Sequence, residues 1–140
     1  MTLEEAWSFF ATPKNLEVMT PSFLNFQIRS DVPETVHSGL IIEYRIRAVL
    51  GIPMVWLTEI RHVEPMKRFV DEQRQGPFPF WHHEHRFKSV EGGIIMEDDV
   101  HYVMPWGPVG HLIHALFIRA RLQEIFRFRK AYLAQRFAGS

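Results

Sequence analysis

The sequence predicts an α+β domain in which a curved antiparallel sheet of about six strands wraps one long C-terminal helix. Three observations carry this expectation. Between Leu24 and Val103 apolar residues recur with period two, in runs bounded by Gly and Pro, as half-buried strands require. The connections between those runs are short, so antiparallel neighbours are the natural pairing. From His111 to Phe137 the period becomes helical and holds for about 27 residues, or about 40 Å at 1.5 Å per residue.

The elements follow in order. Leu3 to Phe10 is amphipathic, with Thr2 as N-cap and Glu4 and Glu5 in the first turn, where the helix dipole favours them. Pro13 breaks this helix, and a second short helical turn ends near Met19, before Thr20-Pro21. Leu24, Phe26 and Ile28 then alternate with Asn25, Gln27 and Arg29 as a first strand. After a turn region from Val32-Pro33 to Ser38-Gly39, Leu40 to Leu50 places Ile42, Tyr44, Ile46 and Ala48 on one face and Glu43, Arg45 and Arg47 on the other. Gly51-Ile52-Pro53 is a tight connection. Met54 to Val63 opposes Trp56, Thr58, Ile60 and His62 to Glu59 and Arg61. Glu64-Pro65 turns the chain into a strand from Arg68 to Arg74, which Gly76-Pro77 interrupts. Phe80 to Val90 and Ile94 to Val103 form a hairpin through Glu91-Gly92-Gly93. Pro105-Trp106-Gly107-Pro108 marks the boundary to the helix. There Leu112, Ala115, Leu116, Leu122, Ile125, Phe126 and Leu133 form an apolar stripe, and Arg119, Arg121, Arg127, Arg129, Lys130 and Arg136 are expected on a solvated face. No repeat, low-complexity tract or linker divides the chain, so residues 1–140 are expected to form one domain.

Composition narrows the function. With 16 basic and 16 acidic side chains there is no field to attract nucleic acid. The absence of cysteine excludes disulfides, thiolate metal sites and Cys nucleophiles, and fits a reducing compartment. No apolar run approaches the roughly 18–20 residues of a membrane span, and no secretory leader is recognisable, so a cytoplasmic location is expected. Twelve Phe, four Trp and three Tyr are a heavy aromatic load for this length, suited either to tight packing or to lining a pocket.

Specific strings carry a resemblance. Ala6-Trp7-Ser8-Phe9-Phe10-Ala11-Thr12-Pro13-Lys14-Asn15-Leu16 with Thr20-Pro21, then Phe69 to Phe78, Trp81-His82-His83-Glu84-His85-Arg86-Phe87, Gly92-Gly93 and Met96-Glu97-Asp98, resemble bacterial members of the START-like, birch-allergen-like superfamily (SRPBCC). The match spans nearly the whole chain. It implies the helix-grip fold, and a ligand-binding or polyketide-cyclase-like role. Such proteins carry a β-strand ahead of the opening helices, whereas Met1 here falls almost at the helix. Either the true start lies upstream of Met1, or the sheet lacks that strand and presents an unpaired edge, which favours a homodimer or a protein–protein regulatory contact.

Following the apolar phase of each strand gives an inward set: Tyr44, Ile46, Trp56, Thr58, Ile60, Phe69, Trp81, Phe87, Met96, Val100 and Tyr102. The same phase carries Asp71, Gln73, His83, His85 and Asp98 inward, more polar groups than a plain core holds. Three readings of these five remain open. They form a structural hydrogen-bond network. They orient the polar end of a small hydrophobic ligand (a lipid, polyketide-like or isoprenoid compound), with Tyr44, Trp56, Phe69, Trp81, Met96 and Tyr102 around its body. Or a His–Asp pair works as acid and base in a cyclase or dehydrase. His-x-His with an adjacent Asp is also a donor set for Zn²⁺ or Fe²⁺, but the motif is short, and neither a metal nor another cofactor is expected. Pro77-Phe78-Pro79-Phe80-Trp81 is either an entrance lid or a bulge forced by its prolines. Trp106 either caps the cavity mouth or packs beneath its loop.

Overall fold

The computed structural model describes residues 1–49 and 51–137, without the side chains of residues 48 and 49; the inward placement of Ala48 and the strand end at Leu50 lie outside this description. Helix α1 (Leu3–Phe10) is followed by α2 (Asn15–Val18), a 3-10 turn (Ser22–Leu24) and six strands: β1 (Gln27–Ile28), β2 (Ile41–Val49), β3 (Ile52–Glu64), β4 (Arg68–Gln75), β5 (Phe80–Val90) and β6 (Gly93–Val103). The chain ends with α3 (Gly107–Ile113), a π turn (His114–Ile118) and α4 (Arg119–Arg136). The six strands form one antiparallel sheet in the order of the sequence, curved around the terminal helix. This is the helix-grip architecture.

Local chemistry explains most of the elements. Thr2 Oγ1 accepts from the Glu5 amide while Glu5 accepts from the Thr2 amide, a complete capping box. Helix α1 buries Ala6 and Trp7, and the indole meets Phe69 and Phe87 edge-on at 5.9 and 5.5 Å. It thereby seats α1 on the sheet. Ile42, Tyr44, Ile46, Ile60, Phe69 and Phe87 continue this core across the concave face. On the convex face Glu59, Glu72 and Glu84 alternate across strands with Arg61, Arg74 and Arg68 in exposed ion pairs, which set charge pairing more than stability.

Four departures from the sequence pattern have physical causes. The first strand is far shorter than its alternation suggests: Ser22–Leu24 is a 3-10 turn and Asn25 adopts a left-handed φ of 46°, leaving only Gln27 and Ile28 paired with β2. Asn tolerates that conformation and ends the extended run. His62 does not join the inward face. It has a φ of 52° in a register break between Arg61 and Glu64, and its side chain is exposed while Val63 turns to the core. The terminal helix begins earlier than His111, with Pro108 in its first turn, and it is not uniformly α. The π turn inserts an extra residue and rotates the preceding stripe, so Leu112, Ala115 and Leu116 face outward. Finally, Arg129 lies inside: it is 8% exposed and belongs to the site below.

Among the described residues no strand pairs with the outer edge of β6, and no helix is long and apolar enough to cross a membrane.

Candidate functional site

Strand register assembles the polar cluster. Asp71 on β4 stands opposite His83 on β5, and His85 stands opposite Asp98 on β6. Because side chains alternate faces, all four project to the concave side, and diagonal neighbours come within reach. Asp71 Oδ2 accepts from His85 Nε2 at 2.7 Å, and Asp98 Oδ1 accepts from His83 Nε2 at 2.8 Å. The two imidazoles lie tilted against each other with centroids 3.8 Å apart, and Phe69 stacks on His85 at 4.4 Å. From α4, Arg129 donates through Nη1 to Asp98 Oδ1 at 3.4 Å and lies 5.4 Å from the centre of the Phe126 ring. The carboxylate-facing nitrogens assign the donor positions of both rings.

The electrostatics separate the two histidines. Burial and the neighbouring His85 charge push the His83 imidazole below its ordinary value, outweighing the pull of Asp71 and Asp98. Burial also acts against the His85 cation, but the hydrogen bonds and charges of Asp71 and Asp98 prevail and hold it above the ordinary value. Burial opposes ionisation of Asp71 and Asp98, yet His83, His85 and Arg129 hold both carboxyls low. The cluster thus favours a proton on His85 over one on His83; with that proton, two carboxylates and Arg129, its charges cancel. Asp98 sits on the edge strand, so its backbone is exposed while its side chain, 31% exposed, leans on the imidazoles.

Above the cluster, between the concave face and the helix, is a cavity of about 190 Å³. Tyr44, Trp56, Phe69, Asp71, Trp81, His83 and His85 line it, as the inward phase predicts. Arg129, Arg121, Phe126, Leu122 and Ile118 complete it from the helix, and Phe78 covers it from the loop between β4 and β5. Four of the expected ligand contacts are elsewhere. Met96 and Asp98 border a second cavity of about 370 Å³ between β5–β6 and α4, on the far side of His85 and Arg129. Gln73 lines neither cavity: its side chain donates to the Phe78 carbonyl and accepts from the Phe78 amide at 3.2 Å, clamping the proline-rich loop. Tyr102 lines neither, because it packs behind Trp81 at 5.7 Å and bonds His114 on the π turn. Phe78 in turn meets Trp56 and Trp81 at 5.8 and 5.1 Å, so the loop closes the cavity instead of bulging from the sheet. Trp106, 68% exposed, neither caps the cavity nor packs beneath its loop.

Donors at the cavity lack protein partners. The Tyr44 hydroxyl makes no hydrogen bond among the described residues, and burial of the residue together with the Asp71 charge pushes its pKa up. Arg129 Nε is buried and unpaired, whereas His85 Nδ1, without a well-directed hydrogen bond, is ion-paired with Asp98 Oδ1 at 3.0 Å. Buried donors are rarely left in this state, so the geometry is ready for an acceptor. Asp71, His83 and His85 also offer ligand atoms within 4.8 Å of one another, a donor set suited to a divalent cation. The Arg129 guanidinium beside them opposes a further positive charge.

No protein-family model and no curated protein matches the chain. Solved structures do. Ms6760 from Mycobacterium smegmatis superposes with a TM-score of 0.65 at 16% identity, over 96% of this chain and 85% of that one. A structural-genomics target from Rhodobacter sphaeroides superposes with a TM-score of 0.62 at 19% identity, over 96% and 86%. At such identities the likeness carries the fold alone.

Proposed function

We propose that this protein binds a small hydrophobic molecule in the cavity between sheet and helix, as the START-like resemblance of its sequence implies. The observation that carries this reading is an aromatic and aliphatic enclosure with a buried unpaired donor, Arg129 Nε, and a Tyr44 hydroxyl without a hydrogen-bond partner among the described residues at its polar end. Its volume of about 190 Å³ slightly exceeds that of an apolar cavity of about 150 Å³ known to take benzene. The fitting occupant has a body of one or two rings, or a short isoprenoid or acyl chain, and one acceptor such as a carbonyl. A neutral acceptor suits the site better than an anion, because the charges of the cluster already cancel.

The test uses 2-naphthol, an apolar two-ring body with one oxygen, followed by fluorescence. Wild-type protein is expected to bind it saturably. Ile125→Trp, which fills the cavity from α4, is expected to weaken binding at least tenfold with the fold retained, and Tyr44→Phe about fivefold. Native mass spectrometry with organic extraction and metal analysis of the same sample identifies the natural occupant. Failure of 2-naphthol to bind together with stoichiometric metal would overturn the reading in favour of a His–Asp metal site.

A second reading is supported by the split between the two histidines. A His83 pushed toward its neutral form beside a His85 pushed toward its cation is a base next to an acid, the pairing that a cyclase or dehydrase uses for proton abstraction next to a carbonyl. Under that reading His83→Gln still binds the substrate but no longer turns it over. Under the binding reading the same variant changes affinity alone.

A further inference from the structure

The outward rotation of the early helix leaves large apolar side chains in water. Trp106, Val109, Leu112, Leu116 and Phe117 are each 60–68% exposed; Val109, Leu112 and Leu116 recur at spacings of three and four, so that they lie on one side of α3 and the π turn, with Phe117 next to Leu116. Basic groups follow this strip along the helix. From Gly107 to Phe137 six basic side chains face one acidic one, Glu124, whereas the rest of the chain carries ten basic and fifteen acidic groups. Arg119, Arg121, Arg127, Lys130 and Arg136 are exposed. The patch also adjoins the cavity: Leu116 and Phe117 precede Ile118, Arg121 and Leu122, which line it, and Arg121 covers the half-exposed Phe23 at 4.8 Å beside them.

We infer that this helical segment docks on an anionic lipid surface, with its apolar side chains in the interface and its arginines against the headgroups. An apolar strip with an edge Trp and a basic continuation is the pattern of an interfacial helix. A second copy fits the same face less well, because a symmetric pairing would bring the two basic segments together. Docked in this way, the helix would place the cavity mouth at the membrane. This inference stands on the exposed face and its charge, not on the ligand reading.

The experiment is co-sedimentation of the intact protein with phosphatidylcholine vesicles and with vesicles to which phosphatidylglycerol has been added. Wild type is expected to bind the anionic vesicles and to be released by salt. Leu116→Asp combined with Phe117→Asp is expected to weaken binding at least tenfold while thermal melting and 2-naphthol binding stay unchanged, since both positions are exposed. Arg119→Glu with Arg127→Glu is expected to remove the preference for phosphatidylglycerol without touching the apolar strip. The inference is overturned if wild type sediments with neither vesicle or equally with both, or if the aspartate pair binds as wild type does. It is also overturned if light scattering shows a wild-type dimer that the aspartate pair makes monomeric, which would assign the face to a second copy.

Discussion

Replacing Arg129 with methionine is expected to lower the melting temperature at neutral pH by about 6–12 °C. Arg129 is the helix's contribution to the polar cluster, 8% exposed and hydrogen-bonded to Asp98. Without it, two carboxylates share a single cation, His85. Removing one partner of a fully buried ion pair costs about 3–5 kcal/mol. The Asp98 side chain is 31% exposed, so water recovers part of that, and about 2–3 kcal/mol remains. For a chain of this size each kcal/mol shifts melting by about 3–4 °C. Methionine keeps most of the packing against Phe126, which isolates the charge. Arg129→Lys keeps the charge but loses the planar fork, and an intermediate loss is expected. Arg127→Met, two residues away and exposed, is the control and is expected to change stability by less than about 0.5 kcal/mol. Equal melting of Arg129→Met and Arg127→Met would mean that the His–Asp pairs hold the cluster unaided.

The second large effect is on pH. Folding stability is expected to peak near pH 6.5 and to collapse in acid. His85 is held above its ordinary 6.5, so above that pH the folded state binds more protons than the unfolded chain. Stability is therefore lost as pH rises through the folded value. His83 is held below 6.5, so below that pH the unfolded chain binds the extra proton and stability falls on acidification. Asp71 and Asp98 are held below 3.8; what they contribute is present above that value and is lost as pH falls through their folded values. The groups that face these histidines from neighbouring elements are Asp71 on β4, Asp98 on β6 and Arg129 on α4. Thermal melts between about pH 3 and pH 9 read the profile. His85→Gln is expected to flatten the alkaline limb, and His83→Gln the limb just below pH 6.5. A wild-type profile that is level from about pH 4 to pH 9 would mean that both imidazoles titrate normally and that no proton is held between them.

The polar cluster shows how far a sequence reading reaches. Strand alternation is a local property: consecutive side chains must take opposite faces, so Tyr44, Trp56, Phe69, Asp71, Trp81, His83 and His85 could be placed on the concave face from their spacing alone. The same logic located the strands, the β5–β6 hairpin turn and the Thr2 N-cap of α1, because each rests on residues within a few positions of one another. Gln73 has the right phase, but it lies at the open end of β4, where its side chain reaches the neighbouring loop. Tyr102 has the right phase too, and the contact that holds it, from His114, arrives from a different element.

The helix was less legible for a related reason. A helical period does not say which side meets the sheet, and one inserted residue in the π turn shifts every position before it. Hence Leu112 and Leu116 are exposed despite belonging to the apolar stripe, while Arg129 is buried despite belonging to a run of arginines. What the sequence by itself determined is therefore the α+β class, the strands and the inward phase of their side chains, since backbone geometry dictates these locally. What only the tertiary structure decided is the partner of each polar group, the Arg129–Asp98 contact and the exposed apolar strip. Those depend on cross-strand register and on how the helix is rotated against the sheet, which are settled by packing across residues far apart in the chain.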